Sequence, residues 1–173
     1  VGLCSQYLWD LAGQSPKNSK RLIFGRFSST KDFEAPPDLD TSPILLIANG
    51  TGISPFRSFW KRWEILNQSS SKFLYYGCRS PAESLYADEL DTLERKGILK
   101  TRVIFSRFKL GMKSRGYVQH LLYQHREEVV NLINKNARIF VCGSLEMRRQ
   151  LEVILDEIAP HWRNFCIYQS EIF

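Results

Sequence analysis

The chain has 173 residues, 43% hydrophobic and 24% charged, which fits one soluble globular domain with a fragment of a second. No apolar run approaches the roughly 20 residues a membrane helix needs, no signal peptide is visible, and Val1 reads as the start of a piece excised from something longer. The net charge of +6 suits a phosphate-bearing partner, but the basic residues are dispersed and the aromatics fall on inner faces, which argues against nucleic acid.

Residues 1–41 stand apart from the remainder of the chain. A short helix is expected at 5–11 and a strand at 21–26, separated by Asn18-Ser19-Lys20 and followed by a linker at Pro36-Pro37-Asp38. Forty residues do not readily build a core of their own, so this stretch reads as the tail of a neighbouring domain, with a second domain at 42–173. From there, short apolar runs alternate with segments of helical period. Strands are expected at 44–48, 73–76, 102–105, 139–142 and 165–168, mostly continuous in apolar character, as befits strands covered on both faces.

Between the strands come four helical patterns. Ser54 caps and Pro55 opens the first, with Phe56, Phe59, Trp60, Trp63 and Leu66 as its inner stripe. The second runs about 84–96 and stops at Gly97. The third, about 117–135, carries Val118, Leu122, Val129, Leu132 and Ile133, and the fourth, about 145–158, carries Leu151, Ile154, Leu155 and Ile158. Strand-helix alternation of this kind gives an α/β fold: a doubly wound, five-stranded, mostly parallel sheet with helices on both faces.

Ligands of such sheets bind beyond the carboxyl ends of the strands. There the sequence places Asn49-Gly50-Thr51-Gly52, Gly77-Cys78-Arg79, Ser106-Arg107 and Gly143-Ser144, all small or suited to anions. Glycines let backbone N–H groups approach a phosphate, and a helix starting near Ser54 adds partial positive charge. A tight strand-to-helix turn would use the same residues, and the motif is neither a P-loop nor GxGxxG. Arginine presents a planar fork to phosphate and stacks on flat rings. Ser106, Arg107, Arg115 and Tyr117 therefore sketch a pocket for a phosphate and a base. The four cysteines, Cys4, Cys78, Cys142 and Cys166, include no close pair suited to zinc, and no metal site is expected. Three of them sit in strand-like apolar settings, which reads as reduced and intracellular, hence a cytoplasmic expectation. Cys142 ends an apolar run with no histidine partner in view, and the terminal Phe173 either packs or covers a flat cofactor.

The segments "ANGTGISPFRSFW", "YYGCRSPAESLYADEL", "FSR…YVQHLL", "VCGSLEM" and "YQSEIF" occur in one order. That order resembles the NADPH-binding half of the ferredoxin-NADP reductase-like module of diflavin reductases, among them cytochrome reductases, sulfite reductase flavoproteins and nitric oxide synthases. The resemblance covers 42–173, and "SPFRSFW", "CGSLEM" and "YQSEIF" are most similar to nitric oxide synthase. "GLCSQYL" resembles the preceding FAD domain.

The resemblance implies that Gly50, Thr51 and Gly52 hold the NADPH pyrophosphate and that Arg79 lines the nucleotide path. Ser106, Arg107, Arg115, Tyr117 and Gln119 would hold the 2′-phosphate and adenosine. Cys142 would lie beside the nicotinamide, Glu171 would assist hydride transfer, and Phe173 would stack on the flavin; Leu3, Cys4 and Ser5 would contact FAD. The implied function is hydride transfer from NADPH to FAD, with electrons passing to FMN and then to a haem domain or another acceptor of the parent chain. The chain departs from the family pattern at Ala48-Asn49-Gly50, where Gly-Pro-Gly is usual, and at Ser144 and Gln150, where acids are usual. The stretch 158–165 is also short. Those departures favour a degenerate module that keeps the fold for binding or regulation, whereas the retained Thr51, Arg79, Ser106, Arg107, Tyr117, Gln119 and Cys142 favour a live site, the leading reading.

Overall fold

In the computed structural model, residues 33–36, 41–66, 71–108 and 116–173 are described. The helix expected at 5–11, the strand at 21–26 and the roles expected of Leu3, Cys4, Ser5 and Arg115 lie outside them. The described residues belong to one compact unit, Lys31–Phe173.

Five strands form the sheet: β1 (Ile44–Asn49), β2 (Lys72–Cys78), β3 (Lys100–Phe105), β4 (Arg138–Gly143) and β5 (Ile167–Ile172). All pair in parallel, in the order β3-β2-β1-β4-β5. The helices are α1 (Phe56–Leu66), α2 (Ala87–Arg95), α3 (Val118–Gln124), α4 (Arg126–Asn134) and α5 (Leu145–Ile158). The chain steps outward from β1 to β3 with α1 and α2 on one face. It then crosses to β4, on the other side of β1, with α3, α4 and α5 on the opposite face.

Strand periodicity feeds the two faces separately. Ile44, Leu46 and Ala48 of β1 join Phe56, Phe59, Trp60 and Trp63 of α1, with Leu90 and Leu93 of α2. Leu45 and Ile47 point the other way, into Leu121, Leu122, Val129, Leu132, Ile133, Leu151 and Leu155. Because the central strands are buried on both sides they read as unbroken apolar runs. Phe33, from the stretch expected to be the tail of a neighbouring domain, packs on the first of these clusters, its ring 5.8 Å from Phe56 and 5.7 Å, edge on, from Phe140.

Four expectations are corrected. The single helix at 117–135 is two, because His125 leaves helical geometry (φ −106°, ψ 27°); its ring meets Tyr75 edge on at 6.0 Å. The helix expected from residue 84 starts at Ala87. Pro81–Glu83 closes a 3₁₀ turn first, and Tyr86 takes a left-handed conformation (φ 59°) that sets its ring 5.8 Å from Trp60.

Ser54 does not cap α1 with its side chain. Its backbone is already helical (φ −61°, ψ −41°) at the end of a 3₁₀ turn, Gly50–Ile53, and its hydroxyl accepts from the Tyr86 hydroxyl at 3.4 Å. The last strand begins at Ile167 rather than 165. The amides of Phe165 and Cys166 both donate to the Trp162 carbonyl, closing a 3₁₀ turn, Trp162–Asn164, around a fully buried Trp162 ring.

Candidate functional site

The carboxyl ends of β1 and β4 lie side by side, yet the connections leaving them go to opposite faces of the sheet. Where neighbouring connections diverge in this way, the sheet leaves a crevice for ligands. The cleft found there has a volume of about 910 Å³. Its lining includes Gly50, Thr51, Arg79, Ser106, Arg107, Tyr117, Gln119 and Phe173, so eight residues singled out from the sequence meet in one cavity.

The 3₁₀ turn Gly50–Ile53 supplies the floor beside β1. Gly50 has φ +53°, and a Cβ added there would meet nothing within 4 Å, so its backbone faces open space. The turn runs into the 11-residue α1, whose dipole adds partial positive charge at that end. Gly52 has a different role. It is buried and does not line the cleft, and an added Cβ would stand 2.2 Å from the Cys142 carbonyl oxygen. Its missing side chain lets the turn lie directly on the end of β4.

The cationic wall comes from β2 and β3, whose ladder continues past both strand ends. The Ser106 amide donates to the Cys78 carbonyl at 2.8 Å, and the Arg107 amide to the Arg79 carbonyl at 2.9 Å. These bonds hold Arg79 and Arg107 next to each other, two planar forks at one edge. Glu83 shares this wall and stands 3.6 Å from Arg79, with both side chains largely exposed. Tyr117, 58% exposed, ends the loop before α3, and its amide donates to His120 Nδ1 at 3.2 Å. The opposite wall is made of acceptors and amides. Gln119, almost wholly buried, donates to Gln150, and Gln150 donates to Glu146 at 2.5 Å.

Cys142 and Glu171 are register partners across β4 and β5, and neither lines the cleft. Burial, with a smaller contribution from the Glu171 charge, pushes the Cys142 thiol up to about 11. At neutral pH it is a protonated thiol rather than a nucleophile. Phe173 is two-thirds exposed at the cleft rim, anchored by its amide to the Gly143 carbonyl at 3.2 Å.

Sequence reasoning did not single out Glu83, Leu85, Glu146 or Met147, which also line the cleft. Glu83 has a signal, its position four residues after Arg79. Glu146 has none, because a first-turn acid is common on any helix. Among the described residues no group of acids, histidines and cysteines can hold a metal ion, and no helix is long and apolar enough to cross a membrane.

The chain is 40% identical over 116 residues, 64% of its length, to the bifunctional cytochrome P450/NADPH–P450 reductase 2 of Bacillus subtilis, of which that match covers 11%. Over its whole length it is 32% identical to the self-sufficient cytochrome P450 monooxygenase CYP505E5 of Aspergillus niger, covering 17% of it. The chain thus spans only about a tenth to a sixth of the curated relatives it matches. Among solved structures, a Plasmodium falciparum ferredoxin-NADP+ reductase mutant crystallised with 2′P-AMP has the same fold, with a TM-score of 0.62 and 24% identity over 86% of this chain and 58% of that one. Residues 46–152 match the model of the oxidoreductase NAD-binding domain, so the chain belongs to that family.

Proposed function

We propose that the chain is the NADPH-binding portion of a diflavin reductase, with 42–173 as the nucleotide domain and 1–41 as the end of the FAD domain. The observation that carries this reading is the convergence of Gly50, Thr51, Arg79, Ser106, Arg107, Tyr117 and Gln119 on one cleft at the crossover between β1 and β4. That donor set fits the cofactor. An open glycine turn ahead of a helix suits a pyrophosphate, paired arginines with a serine suit a 2′-phosphate, and an exposed tyrosine ring suits stacking on adenine. Arg115 is assigned to the same phosphate, and Leu3, Cys4 and Ser5 to FAD.

When bound, NADPH supplies a hydride for FAD, from which electrons pass to FMN and a haem domain or other acceptor. The chain's own residues do the positioning. Arg107 and Ser106 would hold the adenosine end, Gly50 and Thr51 would hold the phosphate bridge, and Phe173, at the cleft rim, would stack on the flavin and have to move aside for the nicotinamide. Cys142 does not line the cleft; it is a buried neutral thiol whose carbonyl lies against Gly52 of the turn.

The names of the relatives favour a cytochrome P450 fusion as the parent. A nitric oxide synthase-like reductase is the second reading, on the strength of "SPFRSFW", "CGSLEM" and "YQSEIF". The haem domain joined to the parent chain decides between them. A module that binds without catalysis is the third reading, favoured by Ala48, Ser144, Gln150 and the short stretch 158–165.

The test is calorimetric titration with 2′,5′-ADP and 5′-AMP, before and after Arg107→Ala. The extra phosphate should tighten binding by about 1.5–3 kcal/mol, and the substitution should remove most of that gain. Equal, weak binding of the two nucleotides would sink the NADPH reading.

A further inference from the structure

Two polar side chains meet in the crevice between β1 and β4. The Ser144 amide donates to Asn49 Oδ1 at 3.2 Å, and Asn49 Nδ2 donates to Ser144 Oγ at 3.3 Å. Ser144 Oγ also accepts from the Met147 amide at 3.3 Å, capping α5. Gly143, in between, has no room for a side chain, since an added Cβ would lie 2.0 Å from Asn49 Oδ1. The Asn49 amide therefore lies flat over the turn from β4 into α5.

Asn49 directly precedes the turn Gly50–Ile53, and Ser144 directly follows Cys142-Gly143. Their reciprocal bonds tie those two turns together at the one place where the connections on either side diverge to opposite faces of the sheet. Together these bonds take two amides at the start of α5, those of Ser144 and Met147.

We propose that Asn49 and Ser144 are a pair of positioning residues. They set the spacing between the Gly50–Ile53 turn and the end of β4 at Cys142-Gly143, and so hold Gly50 and Thr51 in place for a bound diphosphate. This rests on the NADPH reading. The pair acts on the diphosphate and what lies beyond it, not on the adenosine end, which β2 and β3 hold.

The test compares 2′,5′-ADP with 2′-phospho-ADP-ribose, the latter carrying the complete diphosphate, on the wild-type protein and on Asn49→Ala, Ser144→Ala and the double variant. Asn49→Ala should weaken 2′-phospho-ADP-ribose about tenfold and leave 2′,5′-ADP unchanged. The double variant should bind 2′-phospho-ADP-ribose about as weakly as Asn49→Ala, because Asn49→Ala already removes both bonds of the pair. Ser144→Thr keeps the hydroxyl and should bind both ligands as the wild type does. If Asn49→Ala does not fold, Ser144→Ala alone carries the comparison, with a loss of about threefold confined to 2′-phospho-ADP-ribose. Equal losses for both ligands, or no loss, overturn the pair as a positioning device while leaving the NADPH site standing. If wild-type protein fails to bind 2′,5′-ADP, the NADPH reading falls and takes this inference with it.

Discussion

The two faces of the sheet are packed by different chemistry. The face under α1 and α2 is aromatic: Phe33, Phe56, Phe59, Trp63 and Phe140 form a chain of ring contacts with centroids 5.2–6.2 Å apart. Trp60 adds a polar tether, its Nε1 donating to Glu89 at 3.2 Å, and Glu89 is held in turn by a fork from Arg57. The face under α3, α4 and α5 is mostly leucine, isoleucine and valine. Large flat rings are rigid and fill space with few rotamers, whereas branched aliphatics interdigitate closely. The aromatic face anchors two helices and the Phe33 segment. The aliphatic face lets the starts of α3 and α5 come near enough for Gln119 to reach Gln150. The cleft wall thus depends on the face with the smaller side chains.

That contrast can be tested from its strongest consequence downward. Trp60→Ala should cost about 4 kcal/mol in denaturant unfolding, more than Leu122→Ala at about 3 kcal/mol, although both sites are fully buried. A smaller loss at Trp60 would mean that the aromatic face collapses into the void more readily than the aliphatic one. Gly52→Ala comes next, at about 2 kcal/mol, because the new methyl must push the Gly50–Ile53 turn off the Cys142 carbonyl. Its nucleotide affinity should fall too, and unchanged affinity would separate the turn's packing from its binding.

The smallest effect is one of pH. Arg57 holds the Glu89 carboxyl down at about 2, from an ordinary 4.5. A depressed carboxylate stabilises the fold fully above its unfolded value and loses that contribution as pH falls through its folded value. Melting temperature should therefore drop between about pH 4.5 and pH 2, less steeply in Glu89→Gln. Parallel profiles for the two proteins would show that the Arg57–Glu89 tether adds nothing to the aromatic face.

The central strands β1, β2 and β4 were readable because buried parallel strands leave unbroken apolar runs, and α1 and α5 because their apolar stripes repeat at helical spacing. Gly50, Thr51, Arg79, Ser106 and Arg107 were readable for a related reason: in such a sheet, the residues just past each strand stand at the binding edge. Less was legible where side chains from distant segments compete with local preference. Tyr86 leaves helical backbone to set its ring on Trp60, and His125 breaks a continuous helical pattern beside Tyr75. The sequence could mark Asn49 and Ser144 only as departures from a pattern.

Local periodicity and turn chemistry, both encoded within a few residues, determined this protein's central strands, helix faces and the edge that lines the cleft. Which glycine opens to the cleft and which packs was left to tertiary structure, since it depends on what lies across from them: empty space for Gly50, the Cys142 carbonyl for Gly52. The same holds for the Asn49–Ser144 bonds. They join residues 95 positions apart, and only the meeting of β1 with β4 brings the two side chains within hydrogen-bond reach.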